Sequence, residues 1–121
     1  MAVQSKIFSV NKTLKVKGQI LHLATPKVMG IVNITPDSFY SGSRFTNISG
    51  ILKKVESMID EGADLIDVGG YSSRPGALDI TQEEELDRVI PAVTAIRTNF
   101  PNAIISIDTF RSRVAREAIR E

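Results

Sequence analysis

The chain has 121 residues, 42% of them apolar and 24% charged, with a formal net charge of +1. Those values suit one soluble globular domain and carry no basic footprint for nucleic acid. The absence of cysteine excludes a disulfide framework, a thiolate metal site and a cysteine nucleophile, and the single histidine, His22, excludes a multi-histidine metal centre. No apolar run is long enough to span a membrane. The opening MAVQSKIFSV lacks the apolar core of a signal peptide, so a cytoplasmic location is expected.

In chain order, residues 7–23 alternate as short strands broken at Asn11-Lys12 and Lys17-Gly18, which predicts a hairpin with His22 on its exposed side. Thr25-Pro26 ends it, and the apolar run Val28–Val32 followed by Asn33 predicts a buried strand. A polar, turn-rich loop with Asp37, Phe39, Ser41 and Gly42 follows. Asn47 is placed to cap a helix in which Ile48, Ile51, Leu52, Val55, Met58 and Ile59 recur at helical spacing, and Gly62 is placed to end it in a left-handed turn.

Ala63–Gly69 predicts a second strand, closed by the loop Gly70–Gly76. Thr81 and Glu84 form a capping box for a helix with Leu86, Val89, Ile90, Val93, Ile96 and Phe100 on its buried face. Pro91 lies inside that pattern and predicts a kink or a break into two segments. Ala103–Asp108 predicts a third strand, and a last helix from about Ser112 carries Val114, Ala118 and Ile119.

A hairpin followed by three βα units predicts an α/β fold with a parallel sheet and right-handed crossovers. Three parallel strands leave two long edges unpaired, whereas a (β/α)₈ barrel runs to about 250 residues. The expectation is the N-terminal part of a (β/α)₈ TIM barrel, either truncated or completed by a partner chain. Residues 1–27 would be a hairpin capping the barrel, and residues 28–121 its first three βα units.

The three strands end in Asn33, Asp67 and Asp108. In a barrel these side chains gather at the C-terminal mouth, where active sites sit. Asn33 offers a carbonyl oxygen to a hard cation and an amide donor to an anion. Asp108 offers two oxygens to the paired N–H donors of a heterocycle. Asp67 has two equal readings, ligand binding and local bonding of backbone amides across the loop. Gly69 and Gly70 let backbone approach a ligand, and the guanidinium of Arg74 suits a phosphate or carboxylate unless it pairs with Asp79 or Glu83. The loop has neither Walker nor dinucleotide-fingerprint spacing. The site therefore reads as one for an anionic or heterocyclic small molecule.

Met29–Phe39, MGIVNITPDSF, and Asp67–Ala77, DVGGYSSRPGA, resemble the two signature segments of dihydropteroate synthase, and Ile105–Thr109, ISIDT, resembles that family's third-strand segment. The resemblance runs from Val28 to nearly the end of the chain. It implies a barrel enzyme of folate biosynthesis. That enzyme joins 4-aminobenzoate to 6-hydroxymethyl-7,8-dihydropterin pyrophosphate, with Mg²⁺, and releases pyrophosphate. The resemblance further implies that Asn33 holds Mg²⁺ and pyrophosphate, and that Asp108 binds the pterin ring. Ser73, where the family usually has threonine, lies beside the substrates. Arg74 and Pro75 share its loop, and Asp37 and Phe39 lie in the other, with Phe39 bordering the aminobenzoate site. Full-length synthases are generally homodimers, through helices that come later in the chain.

Tyr71-Ser72-Ser73 departs from the commoner Glu-Ser-Thr of that family. The family's later ligands, an Asn, an Asp, a Lys and an Arg-x-His, have no counterpart in these 121 residues. The chain alone is therefore expected to be inactive. The related pterin-binding methyltransferase domain fits TPDSF and SSRPG less well. A non-catalytic pterin-binding or assembly fragment, self-associated or completed by a partner chain, is the alternative reading.

Overall fold

The computed structural model describes residues 10–34, 44–72, 75–77 and 79–121, with residues 44–46 described by their backbone alone. Strands β1 (Thr13–Val16) and β2 (Gln19–His22) form an antiparallel hairpin. Lys17 and Gly18 both take positive φ, 49° and 76°, as a two-residue turn matched to strand twist requires. His22 is exposed, as its position in the alternation predicts.

Next come β3 (Met29–Asn33), α1 (Arg44–Asp60), β4 (Leu65–Gly69), α2 (Gln82–Asn99), β5 (Ile104–Asp108) and α3 (Ser112–Arg120). The three strands β3, β4 and β5 pair in parallel in that order. Asp64 fastens the start of the sheet. Its Oδ2 accepts the Val28 N–H at 2.8 Å, and its own N–H reaches the Val28 carbonyl at 2.8 Å.

Local chemistry explains the helix ends. At the end of α1, Gly62 takes φ of 107° and donates to the Ile59 carbonyl, while Ala63 donates to Met58. Those two bonds satisfy carbonyls that the last turn leaves open. At the start of α2, Thr81 Oγ1 accepts the Glu84 N–H at 3.1 Å and Glu84 Oε2 accepts the Thr81 N–H at 3.0 Å. Two sequence expectations need correction. Helix α1 begins at Arg44, so Asn47 lies inside it and does not cap it. Helix α2 continues through Pro91 as one element; the ring sits on the solvent side, where water can reach the carbonyl it leaves unpaired. Ile119 is 79% exposed, and only Val114 and Ala118 of α3 are buried.

The core lies between the helices and one face of the sheet. It holds Val32, Ile66 and Val68 from the strands, Ile51 and Val55 from α1, Val89, Ala92, Val93 and Ile96 from α2, and Val114 from α3. Each fully buried side chain of this size stabilises by about 1.5–3 kcal/mol. Gly30 belongs to the same face, where a Cβ would meet Met58 Sδ at 2.7 Å. The opposite face is uncovered: Met29 is 45% and Ile31 55% exposed.

Candidate functional site

Register sets the site. Asn33 pairs with Gly69, and Gly69 with Asp108, so the three form one row across the C-terminal end of the sheet. One row deeper on the same face lie Ile31, Asp67 and Ser106. Both rows face away from the helices. Gly69 puts no side chain between Asn33 and Asp108, whose strands lie two strand spacings, about 9–10 Å, apart, and the Asp108 carboxylate leans over this glycine slot.

Asp67 is held by a neighbouring strand and not by the backbone amides of its own loop that one of its two sequence readings expects. Ser106 Oγ donates to its Oδ1 at 2.7 Å. The two glycines divide their roles. A Cβ on Gly69 would stand 3.5 Å from Asp108 Oδ2, at the site. A Cβ on Gly70 would strike Val89 Cγ2 at 2.8 Å, so Gly70 is small to let α2 pack and not to admit a ligand.

Beside the site runs a second polar cluster. Glu85, on α2, is fully buried. Its Oε2 accepts from Thr109 Oγ1 at 2.5 Å, and its Oε1 from Arg111 Nη1 at 2.7 Å. Arg111 Nη2 donates to the Ile80 carbonyl at 2.7 Å. The guanidinium carbon lies 5.3 Å from the Tyr71 ring centre and 4.8 Å from that of Phe110, and the two rings meet edge-to-face at 5.0 Å. Arg88 Nη1 donates to the Gly70 carbonyl at 3.1 Å. The Tyr71 phenol is pushed above its ordinary value of 10.0, first by its hydrogen bond to the Asp79 carboxylate and then by partial desolvation, while Arg111 opposes the shift.

Of the residues singled out from the sequence, Asn33 and Asp108 are brought together. Pro75 is exposed in a turn of the β4–α2 connection. Asp37, Phe39, Ser73 and Arg74 lie outside the described residues. Glu85, Thr109 and Arg111 escaped the sequence reading. The first had a signal: Glu85 stands in helical phase with Val89, Ala92 and Ile96, the buried stripe of α2. Arg111 had none, because its partners are distant in sequence.

Asn33 offers an amide oxygen, a ligand type Mg²⁺ takes when phosphate and water complete its shell, and Asp108 offers two carboxylate oxygens to N–H donors. Among the described residues no cluster of three or more His, Asp or Glu side chains could hold a metal unaided. A cleft of about 360 Å³, lined by Ile59, Ile66, Phe100 and Ile104, lies at the other end of the strands. It is separate from the slot, since parallel strands gather their functional side chains at their C-terminal ends.

The parallel α/β sheet thus sets an amide and a carboxylate on either side of a glycine at its C-terminal end, the end at which α/β proteins bind small molecules. Residues 29–121 match the family described as "Pterin binding enzyme", and the chain belongs to that family. It is 50% identical over 92 residues to the dihydropteroate synthase of Clostridium beijerinckii, covering 76% of this chain and 34% of that protein. With the dihydropteroate synthase of Haemophilus influenzae it shares 44% identity over 105 residues, 87% of this chain and 38% of the other. A solved structure of Xanthomonas albilineans dihydropteroate synthase with 4-aminobenzoic acid superposes with a TM-score of 0.79 at 43% identity, over 91% of this chain and 40% of that one. The chain thus spans little more than a third of these two curated relatives.

Proposed function

We propose that this chain is the pterin-binding part of a dihydropteroate synthase of folate biosynthesis. The observation that carries the reading is the row Asn33–Gly69–Asp108, in a chain whose relatives bear that name. In this reading β3, β4 and β5 are the first three strands of a (β/α)₈ barrel, and the uncovered face with Ile31 and Asp67 is the barrel interior. The hairpin of β1 and β2, within the N-terminal segment 1–27, caps the barrel's lower end. Lys17 Nζ supports that placement, because it donates to the carbonyls of Pro101 and Ala103 just before β5.

In the reaction the amine of 4-aminobenzoate attacks the methylene carbon of the dihydropterin pyrophosphate. A C–N bond forms, the C–O bond to pyrophosphate breaks, and the amine loses a proton. Asp108 accepts the pterin's N–H donors and orients the ring, and a charged acceptor makes such bonds short and strong. Asn33 holds the pyrophosphate end of the slot and contributes to a Mg²⁺ site. Bound Mg²⁺ would neutralise charge on the leaving pyrophosphate. Ser73, Arg74 and Pro75 in one loop, and Asp37 and Phe39 in the other, border the substrates. Loops of this kind exclude water from an electrophilic centre. The whole enzyme acts in the cytoplasm as a homodimer on these two substrates. No helix among the described residues is long and apolar enough to cross a membrane.

The test is a titration of the ¹⁵N-labelled chain with 6-hydroxymethyl-7,8-dihydropterin pyrophosphate and Mg²⁺, read by NMR. Shifts centred on Asn33, Gly69 and Asp108, abolished by Asp108→Ala, are expected. Shifts elsewhere, or none at millimolar ligand, would reject the reading. The 121-residue chain alone forms no dihydropteroate, and robust product from it would overturn the view that the site is partial.

A further inference from the structure

We propose that Glu85 and Arg111 are positioning residues for the ligand site. Glu85 fixes the backbone just after Asp108, and Arg111 ties both ends of the β4–α2 connection to that point. The inference rests on the reading that Asp108 binds ligand.

Glu85 spends both carboxylate oxygens on the segment that follows Asp108. Oε2 takes the Thr109 hydroxyl and Oε1 the Arg111 guanidinium. Thr109 Oγ1 in turn accepts the Arg111 N–H at 3.1 Å, which closes a tight turn at the end of β5. Asp108 is thus followed directly by a residue locked to a buried carboxylate on α2. The carboxylate beside the slot inherits that fixed backbone.

Arg111 does the same for the neighbouring connection. One guanidinium lies against the Tyr71 ring, at the start of that connection, and donates to the Ile80 carbonyl, at its end. Arg88 holds the Gly70 carbonyl from the same helix. The connection that carries Ser73 and Arg74 is therefore anchored at both ends to the cluster that anchors Asp108.

Stability alone does not explain the arrangement. A buried ion pair is often replaceable by apolar side chains at no loss of stability. What apolar residues cannot supply is direction: a carboxylate and a planar guanidinium each fix several partners at set angles. The side chains are 0% and 17% exposed, so water offers these groups little competition.

The test is amide hydrogen exchange on the ¹⁵N-labelled 121-residue chain, for Arg111→Lys, for Thr109→Val and for Arg113→Gln as a surface control. Arg111→Lys keeps a charge beside Glu85 but loses the fork and the ring contacts. It is expected to raise exchange about tenfold or more at residues 70–72 and 79–81 while Ile66, Val68 and Ile107 change less than about twofold. Thr109→Val removes the hydroxyl that donates to Glu85 and accepts from the Arg111 N–H, is the milder variant should Arg111→Lys not fold, and is expected to act at residues 108–111. Arg113→Gln is expected to change neither region. A rise spread evenly through the sheet, or no rise, overturns the proposal and leaves a stability role only. The dihydropterin pyrophosphate titration on the variants separates the two readings. No shift at Asp108 in the unaltered chain rejects the functional reading. A shift that weakens in the variants supports positioning, and one that persists undiminished counts against it.

Discussion

Gly69 stands against Asp108: a Cβ built on Gly69 would lie 3.4 Å from Asp108 Cβ and 3.5 Å from its Oδ2. Its neighbour Gly70 is closed in by Val89 at 2.8 Å. Gly69→Ala is therefore expected to change stability by less than about 1 kcal/mol while weakening pterin binding. Gly70→Ala overpacks the core and is expected to cost about 1–3 kcal/mol. Urea unfolding of both variants, with the ligand titration, checks the contrast; equal losses of stability would contradict the division of roles.

Glu85 and Glu83 sit two residues apart on α2 and carry different weight. Glu85 is buried with Arg111, whereas Glu83 pairs with Arg113 in solvent. Removing one partner of a buried pair costs about 3–5 kcal/mol, and an exposed pair is worth about 0–1 kcal/mol. Glu85→Ala is expected to unfold this chain or nearly so, and Glu83→Ala to leave its melting curve close to unchanged. Circular dichroism melts distinguish the two.

Tyr71 gives a pH signature. Its phenol titrates above 10.0 in the folded chain, because the Asp79 carboxylate accepts its proton's hydrogen bond and disfavours the phenolate. The raised folded-state value means that its stabilising contribution is complete below the unfolded value and is lost as pH rises through the folded one. The decline therefore begins near pH 10, at the alkaline end. Phenolate absorbance should show one of the two tyrosines titrating late. Tyr71→Phe should remove that component, and Asp79→Ala should move it back down.

The two faces of the sheet differ in what truncation does. Ile66 is buried under the helices and Ile31 is 55% exposed on the other side. Ile66→Ala is expected to cost about 2–5 kcal/mol, and Ile31→Ala less than about 1 kcal/mol, as exposed sites do. A large loss at Ile31, scaling with protein concentration, would show that a second copy covers the open face in solution.

Much of the fold was legible because its signals are local. The capping box at Thr81 and Glu84, the left-handed Gly62 and the Lys17-Gly18 turn each depend on residues within one turn of one another. The same locality misled where a local rule meets packing. Asn47 has the chemistry of a cap, yet α1 starts a turn earlier. Pro91 has the chemistry of a breaker, yet α2 buries Val89, Ala92, Val93 and Ile96 around it and continues.

The sequence by itself determined the order of strands and helices, the main faces they bury, and the polar residues that end β3 and β5, whereas β4 runs two residues past Asp67 to Gly69. Periodicity and capping are written in neighbouring residues. Only the tertiary structure decided that Asn33 and Asp108 face each other across Gly69, that Gly70 serves Val89, and that Glu85 meets Arg111 from 26 residues away. An amphipathic pattern tells which side of a helix is covered, but a contact between elements depends on strand register and helix placement, which no local stretch of chain encodes.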